Sequence, residues 1–483
     1  MSTNQSVKGR PLCVDCDGTL IAADLLHESL LKYLRPKPWR ILQVFAWLLR
    51  GRGNMKSELA KRVTLDPAKL PYREAVLDYV RAARSLGRRV FLVTAANRDQ
   101  AEAVAAHVGC FDGVYASDER LNLKGARKAK FLAERFGNGA FDYMGDAHAD
   151  FAVWEIADQA IVVARSEGFL RRLSRINPRA TALVSSRKTV KTWLKLIRIH
   201  QWAKNLILFV PLVTAHRIFD PHALAMSIGA FFSLSFVASA TYICNDLFDL
   251  EHDRVHKRKR YRPLPAGTIS IPGGVAVAIA LAAAGVGLAL LLPERFMILL
   301  GIYVVLTVSY SARVKRVMLA DVVLLAGLYT LRLLAGHAAT YIPLSVWLLA
   351  FAIFIFFSLA LAKRFVEVQE LYAAGKAGEK TIGRGYQAAD LPAIGALGAA
   401  SGVTSVLVLI LYVSSPEVST LYTKPMILML LAPLFLYWIG RIWLLAHRSE
   451  LHEDPVLYAV KDKISYLIGV AALGVIGLAA LYR

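Results

Sequence analysis

From about residue 200 onward the chain is a succession of apolar runs, and no other feature constrains its fold as much. The runs lie at 203–216, 222–244, 273–292, 296–310, 318–336, 344–362, 393–413, 426–445 and 464–482. A run of roughly 17–22 residues crosses the hydrocarbon core as a helix, and in lipid every backbone amide must be bonded within its own segment. The pattern therefore predicts an all-α, polytopic membrane domain of nine transmembrane helices. The connections at 245–272, 311–317, 363–392 and 446–463 are rich in Lys and Arg, whereas the others hold little beyond Arg217, Arg295 and Lys424. That bias puts the first set on the inner face of a plasma membrane, and nine crossings that start inside put the C-terminus outside.

Residues 1–190 read as a mixed soluble sequence, which gives two domains, 1–185 and 186–483, with a boundary near Ser185. A chain that is 56% hydrophobic with a net charge of +22 is neither a soluble enzyme nor a disordered tail. Its expected partner is the lipid bilayer rather than nucleic acid, and a homo-oligomer stays open. Met1 to Pro11 is polar, and "LCVDCDGTL" is too short and too acidic to be a signal core, so the N-terminal domain is expected in the cytoplasm. Cys13 and Cys16 form a lone CxxC with Cys110 and Cys244 isolated. A zinc site wants four ligands, so buried strand cysteines in a reducing compartment are the better reading.

The stretch "YICNDLFDLEHDRVHKRKRYRP", 242–263, closes the second apolar run. At about 100° per residue Asp246, Asp249 and Asp253 fall within an arc of about 60°, with Asn245 beside them. Three carboxylates on one face repel one another and call for a cation between them. Oxygen ligands of this kind suit Mg²⁺, which takes one or two carboxylates together with phosphate oxygens. The following bases suit those phosphates, Arg260 and Arg262 as forks and Lys315 of the next inner loop as a point charge. A basic, topology-setting loop would explain the lysines and arginines but not the spaced aspartates, since acids at a membrane edge are costly and by default functional. Lys204, Lys363 and Arg364 belong to the same side, where a lipid phosphate could be anchored or where they simply snorkel to headgroups. Tyr310 orients a phosphate or joins the aromatic belt.

"NDLFDLEHD" resembles the NDxxDxxxD motif of the UbiA superfamily of intramembrane prenyltransferases, whose architecture is nine helices; the resemblance covers about 190 to the end. Within it, "RIHQWAKNLILFVPL", "YSARVKRVMLADVVLLAGLYTLRLLAG" and "ALAKRFVE" look most like the branch that makes decaprenyl-phosphoryl-5-phosphoribose. That branch implies phosphoribosyl diphosphate as donor and polyprenyl phosphate as acceptor. The second acidic motif of the aromatic prenyltransferases, DxxxD, is reduced here to Asp321, since the fourth position after it is Leu325. The loss weakens a second metal cluster and fits the phosphoribosyl branch.

In the soluble half, "LCVDCDGTL", "RVFLVTAAN", "LNLKGARKAKFL" and "FDYMGDAHAD" carry Asp15, Asp17, Thr94, Lys124, Asp146 and Asp150. Alternating strands and helices predict a doubly wound parallel sheet with its site at the carboxyl ends of the strands. The set DxDGT, Thr, Lys, GDxxxD resembles the haloacid dehalogenase superfamily of phosphohydrolases over about 10–165. The resemblance implies Asp15 as nucleophile, Asp17 as general acid and then base, and Thr94 and Lys124 as phosphoryl ligands. It places Mg²⁺ among Asp15, Asp17, Asp146 and Asp150, so that each domain holds one Mg²⁺. It also implies a helical cap at about 24–75, where "WRILQVFAWLLRG" flanked by Arg40, Arg50 and Arg52 either lies on the membrane or packs within the cap.

Together the halves imply a bifunctional enzyme that transfers 5-phosphoribose to polyprenyl phosphate and then removes the 5-phosphate, feeding cell-envelope glycans. Two alternatives remain: an aromatic prenyltransferase that uses polyprenyl diphosphate, and a lipid-binding or transporter protein with an appended phosphatase.

Overall fold

The computed structural model describes residues 9–118, 122–185, 189–373, 385–451 and 454–481. Residues 186–188 of the expected linker and 374–384 of the expected inner loop lie outside the described residues. The chain divides into two compact units, one of Met1–Ile197 with Ile243–Val277, the other of Arg198–Tyr242 with Ala278–Arg483. The basic loop after the second apolar run thus belongs to the unit that holds the parallel sheet.

The first unit is built on six parallel strands, β1 (Leu12–Val14), β2 (Val90–Asn97), β3 (Gly113–Ser117), β4 (Asp142–Gly145), β5 (Ala160–Arg165) and β6 (Thr181–Ser185). Their order is β3-β2-β1-β4-β5-β6. A parallel sheet is buried on both faces, so its strands read as apolar runs and successive side chains enter opposite cores. Leu12 and Val14 join Val76, Val80 and Leu92 on one face, while Cys13 joins Phe91, Tyr143 and Trp154 on the other. Cys13 and Cys16 are free and buried. Three helices follow β1 as the cap: α1 (Leu25–Leu34), α2 (Ile41–Leu49) and α3 (Arg52–Arg62), joined through Tyr33, Val44, Leu59 and Val63. Asp24 opens α1 by accepting from the Leu26 and His27 amides, the donors left over at a helix start.

In the same unit the loop of the acidic motif packs on the cap. Arg254 forks onto Glu28 of α1, Nη2 to Oε1 at 2.6 Å and Nη1 to Oε2 at 3.1 Å, both side chains being buried. It also donates to the Pro265 carbonyl at 3.2 Å, and Lys32 pairs with Glu251 at 3.3 Å. Gly267, at φ +66°, lies so close to the Ala22 carbonyl that a Cβ would overlap it.

Among the described residues, eight helices are long and apolar enough to span a bilayer: Pro221–Phe248, Ile271–Ala289, Glu294–Ala312, Ala320–Thr340, Val346–Glu370, Ala388–Val413, Pro425–His447 and Lys463–Ala480. The ninth expected helix, at 203–216, is not among them. That segment is a 3₁₀ stretch, Ile199–Phe209, followed by a short helix, Val210–Thr214, with proline in its first turn. Such a long 3₁₀ run is unusual, and side-chain bonds hold it: Trp202 Nε1 donates to Ser239 Oγ at 2.9 Å, Asn205 Nδ2 to Ser235 Oγ at 2.9 Å, and Arg332 Nε to Asn205 Oδ1 at 2.9 Å.

Candidate active sites

The site of the sheet forms along β1, β2 and β4 near their carboxyl ends. Asp15 follows β1, Thr94 lies in β2, and Asp146 follows β4, with Asp150 one short turn later. Each of Asp15, Asp146 and Asp150 brings a carboxylate oxygen within 4.8 Å of the others. Three hard oxygen donors at that spacing fit a divalent cation. Gly18, at φ +78°, makes the room: a Cβ there would stand 2.6 Å from the Asp146 carboxylate. Asp17 lies outside this group, unlike the expected four-carboxylate set, and its Oδ1 accepts from the Leu25 amide at 2.9 Å.

The lysine that meets these acids is Lys128, not Lys124. Lys124 is exposed, whereas Lys128, one helical turn further on, is buried. Its Nζ donates to Asp15 Oδ1 at 2.8 Å and to the Tyr143 hydroxyl at 2.7 Å, and lies 3.6 Å from Asp150. The Tyr143 hydroxyl in turn donates to Asp150 Oδ1 at 2.9 Å. The sequence did carry this signal, as a lysine on the apolar side of the helix Ala126–Phe136 between Leu123 and Leu132. Thr94 is buried, and its Oγ1 accepts from the Ala96 amide at 3.0 Å. Burial, reinforced by Asp150 and Asp146 and opposed by Lys128, pushes Asp15 up to about 7. Burial and then Asp24 push Asp17 well above the usual carboxylate range, which favours the protonated form a general acid needs. Burial works to lower Lys128, but Asp15 and Asp150 outweigh it and leave it above its ordinary value.

The acidic motif, also in the first unit, is arranged differently from the expected three-carboxylate cluster. Asp246 and Asp253 are buried and converge on one guanidinium: Arg262 Nη1 donates to Asp246 Oδ1 at 3.0 Å and to Asp253 Oδ2 at 2.7 Å. Lys259 stands 3.6 Å from Asp253. Asp249 stands at the start of the next helix, Leu250–Val255, without a side-chain capping bond, and its amide bonds the Asn245 carbonyl. Among the described residues these three acids do not form a group within metal-ligand reach of one another; a fixed cation already lies between two of them. Their donor chemistry, oxygen only, still suits a hard cation. Arg260 stays apart, donating to the Tyr261 hydroxyl at 2.6 Å.

In the second unit the expected phosphate ligands form two clusters. Lys204 and Lys363 both donate to Asp454 Oδ2 at 2.9 Å, and the Tyr329 hydroxyl donates to Oδ1 at 3.0 Å. Asp454 was not foreseen, and only its position just before a proline in an inner loop of mixed charge hinted at it. Burial works to raise Asp454, but Lys363 and Lys204 outweigh it and hold it well below the usual carboxylate range. Arg364 is fully buried and bonds Asp321 Oδ2 at 2.6 Å, Glu367 Oε2 at 2.5 Å and the Tyr310 hydroxyl at 2.8 Å. Tyr386 donates to the other Asp321 oxygen at 2.6 Å. Tyr310 and Asp321 therefore both bond Arg364. Lys315 lies half-buried in the turn Val314–Arg316.

Residues 206–479 match the UbiA prenyltransferase family. The chain belongs to that family. This UbiA family member also carries, over residues 12–155, a match to the haloacid dehalogenase-like hydrolases, so both expected domains are present. It is 41% identical to the uncharacterized protein y4nM of Sinorhizobium fredii over 95% of this chain and 89% of that protein. It is 33% identical to the decaprenyl-phosphate phosphoribosyltransferase of Corynebacterium glutamicum over 36% of this chain and 54% of that protein. Among solved structures, a UbiA homolog from Archaeoglobus fulgidus bound to GPP and Mg²⁺ aligns at a TM-score of 0.46 and 17% identity, covering 59% of this chain and 99% of that one.

Proposed function

We propose that this UbiA family member is a bifunctional, Mg²⁺-dependent membrane enzyme, with one Mg²⁺ in each domain. Its membrane domain transfers 5-phosphoribose from phosphoribosyl diphosphate to a polyprenyl phosphate, and its N-terminal domain then removes the 5-phosphate. The resemblance to decaprenyl-phosphate phosphoribosyltransferases supports the first step. The observation that carries the pairing is the Asp15–Asp146–Asp150 group, two of its acids buried and Asp146 half-buried, with Lys128 set against Asp15 and Asp150, a phosphomonoesterase arrangement on the same chain as a membrane transferase.

In the transfer an oxygen of the lipid phosphate attacks the anomeric carbon and the bond to diphosphate breaks, leaving positive charge on the sugar and negative charge on the leaving group. Asp246, Asp249 and Asp253, with Asn245, would hold Mg²⁺ once Arg262 leaves Asp246 and Asp253 for the phosphates, and the ion would neutralise the diphosphate. Arg262 and Lys259 lie beside these acids, so the loop presents both signs that a metal–diphosphate pair requires. Lys204 and Lys363 flank a buried anion, Asp454, and are suited to an oxyanion of the acceptor. In the hydrolysis Asp15 attacks phosphorus as the bond to the ribose oxygen breaks and Asp17 gives that oxygen a proton; Asp17 then takes a proton from the water that attacks phosphorus, releasing phosphate and the Asp15 carboxylate, while Thr94 and Lys128 hold the phosphoryl oxygens.

We place the N-terminal domain in the cytoplasm and the C-terminus outside. Eleven residues of 3₁₀ helix at about 2.0 Å each and five of α-helix at about 1.5 Å each together extend about 30 Å, the thickness of a hydrocarbon core. The segment 199–214 can thus make the ninth crossing with few residues.

Mass spectrometry of the lipid product tests the reading. Protein in nanodiscs given Mg²⁺, phosphoribosyl diphosphate and decaprenyl phosphate should yield lipid-phosphate ribose without a 5-phosphate, and Asp15→Asn should accumulate the 5-phosphorylated lipid. Inertness of the wild-type chain with this pair would remove the phosphoribosyl reading.

A further inference from the structure

The cap carries a surface that phosphate hydrolysis does not use. α2 packs Val44 into the small cluster with Tyr33, Leu59 and Val63, with Trp47 beside it. Its opposite side is also apolar, with Leu42 74%, Phe45 60% and Leu49 75% exposed, Ile41 and Leu48 beside them, and Trp39 67% exposed just ahead. At 100° per residue these five helical positions fill an arc of about 120°. A helix facing water carries polar residues on that arc, and a contiguous apolar patch marks a contact surface.

Charge names the partner. From Ser29 to Ser57 the sequence holds seven bases and no acid, so Lys37, Arg40 and Arg50 rim the patch unopposed by any carboxylate of that segment. Beside it opens a groove of about 560 Å³ lined by Tyr33, Lys37, Trp39, Arg40, Gln43 and Arg62. Arg40 lies 4.8 Å over the Tyr33 ring, and the Tyr33 hydroxyl donates to Gln43 at 2.7 Å. A second copy of this chain would meet the same basic surface and be repelled. An anionic bilayer meets both the apolar arc and the basic rim, and eight bilayer-length helices on the same chain keep one within reach.

We propose that α2 and its rim form an interfacial lipid site: Trp39, Leu42, Phe45 and Leu49 enter the headgroup–acyl boundary of an anionic bilayer, and Lys37, Arg40 and Arg50 meet lipid phosphates. The phosphatase cap is thereby held at the surface where lipid-linked phosphomonoesters reside. The site stands whichever sugar the enzyme transfers.

The test uses the full chain with Cys110 and Cys244 changed to Ser, reconstituted in phosphatidylcholine nanodiscs with or without phosphatidylglycerol. Nitroxides are attached at Leu42→Cys, at Phe45→Cys and, as control, at Leu86→Cys, since Leu86 is 60% exposed outside the cap. The ratio of relaxation by oxygen to relaxation by a water-soluble nickel chelate should rise about threefold or more at 42 and 45 relative to 86 when phosphatidylglycerol is present, and fall back in a Lys37→Glu/Arg40→Glu background. On the unaltered chain, amides of residues 39–49 should exchange more slowly in those discs than in detergent. Labels at 42 and 45 that behave like the one at 86, that are shielded from both relaxants, or that broaden with protein concentration would overturn the proposal, the last two in favour of a protein partner or a second copy.

Discussion

Exchange of Lys128 for methionine separates the two candidate lysines of the phosphatase site. Lys128 lies 2.8 Å from Asp15 and 3.6 Å from Asp150, with all three side chains buried. Methionine keeps the bulk and leaves two acids without their cation, and removal of one partner from such a group costs about 3–5 kcal/mol. For a unit of this size each kcal/mol moves the midpoint by about 2–4 °C, so K128M should unfold about 6–20 °C earlier without Mg²⁺. Part of that loss should return with Mg²⁺, a cation for the same carboxylates. A charge aimed at the transferred phosphoryl group is worth about 100- to 1000-fold in rate, and hydrolysis of p-nitrophenyl phosphate by the full chain in nanodiscs should fall by that factor. Lys124, exposed and without a contact to these acids, should change stability by no more than about 0.5 kcal/mol when made alanine and leave the rate within about twofold. If K124A abolishes hydrolysis while K128M retains it, Lys128 is a structural counter-ion and the assignment fails.

Asp249→Ala should abolish release of diphosphate while leaving p-nitrophenyl phosphate hydrolysis intact; retained release would point to a lipid-binding or transporting role. Glu28→Ala strands the buried Arg254 guanidinium and should destabilise the first unit by about 3–5 kcal/mol, measured by denaturant unfolding with Arg254→Ala as second arm; the double variant should lose less than the sum. Asp454→Asn leaves Lys204 and Lys363 facing each other, and we expect a raised KM for the lipid phosphate. Because Asp454 is held below its unfolded value, its stabilisation is complete above about pH 4 and lost only as pH falls through the folded value, so the wild-type minus D454N difference should be the same at pH 5 and pH 8. A reporter fused to the C-terminus should show it outside; an inner location would mean that 199–214 does not cross.

The sequence by itself determined the kinds of element and the two domains. Runs of bilayer length can only become helices, because lipid leaves no other partner for their amides. Short apolar runs ending in Asp15, Thr94 and Asp146 can only be buried parallel strands with polar residues at one end. These are local facts, legible over ten or twenty residues. Only the tertiary structure decided which charge meets which. Lys204 and Asp454 lie 250 positions apart, Glu28 and Arg254 lie 226 apart, and neither pairing leaves a mark on local periodicity. The choice of Lys128 over Lys124 turns on a single helical turn, and Arg262 between Asp246 and Asp253 on the path of one loop. The reason is common to all of them: a buried charge must find its counter-charge wherever the packed chain puts one, and burial is a property of the whole fold rather than of any segment.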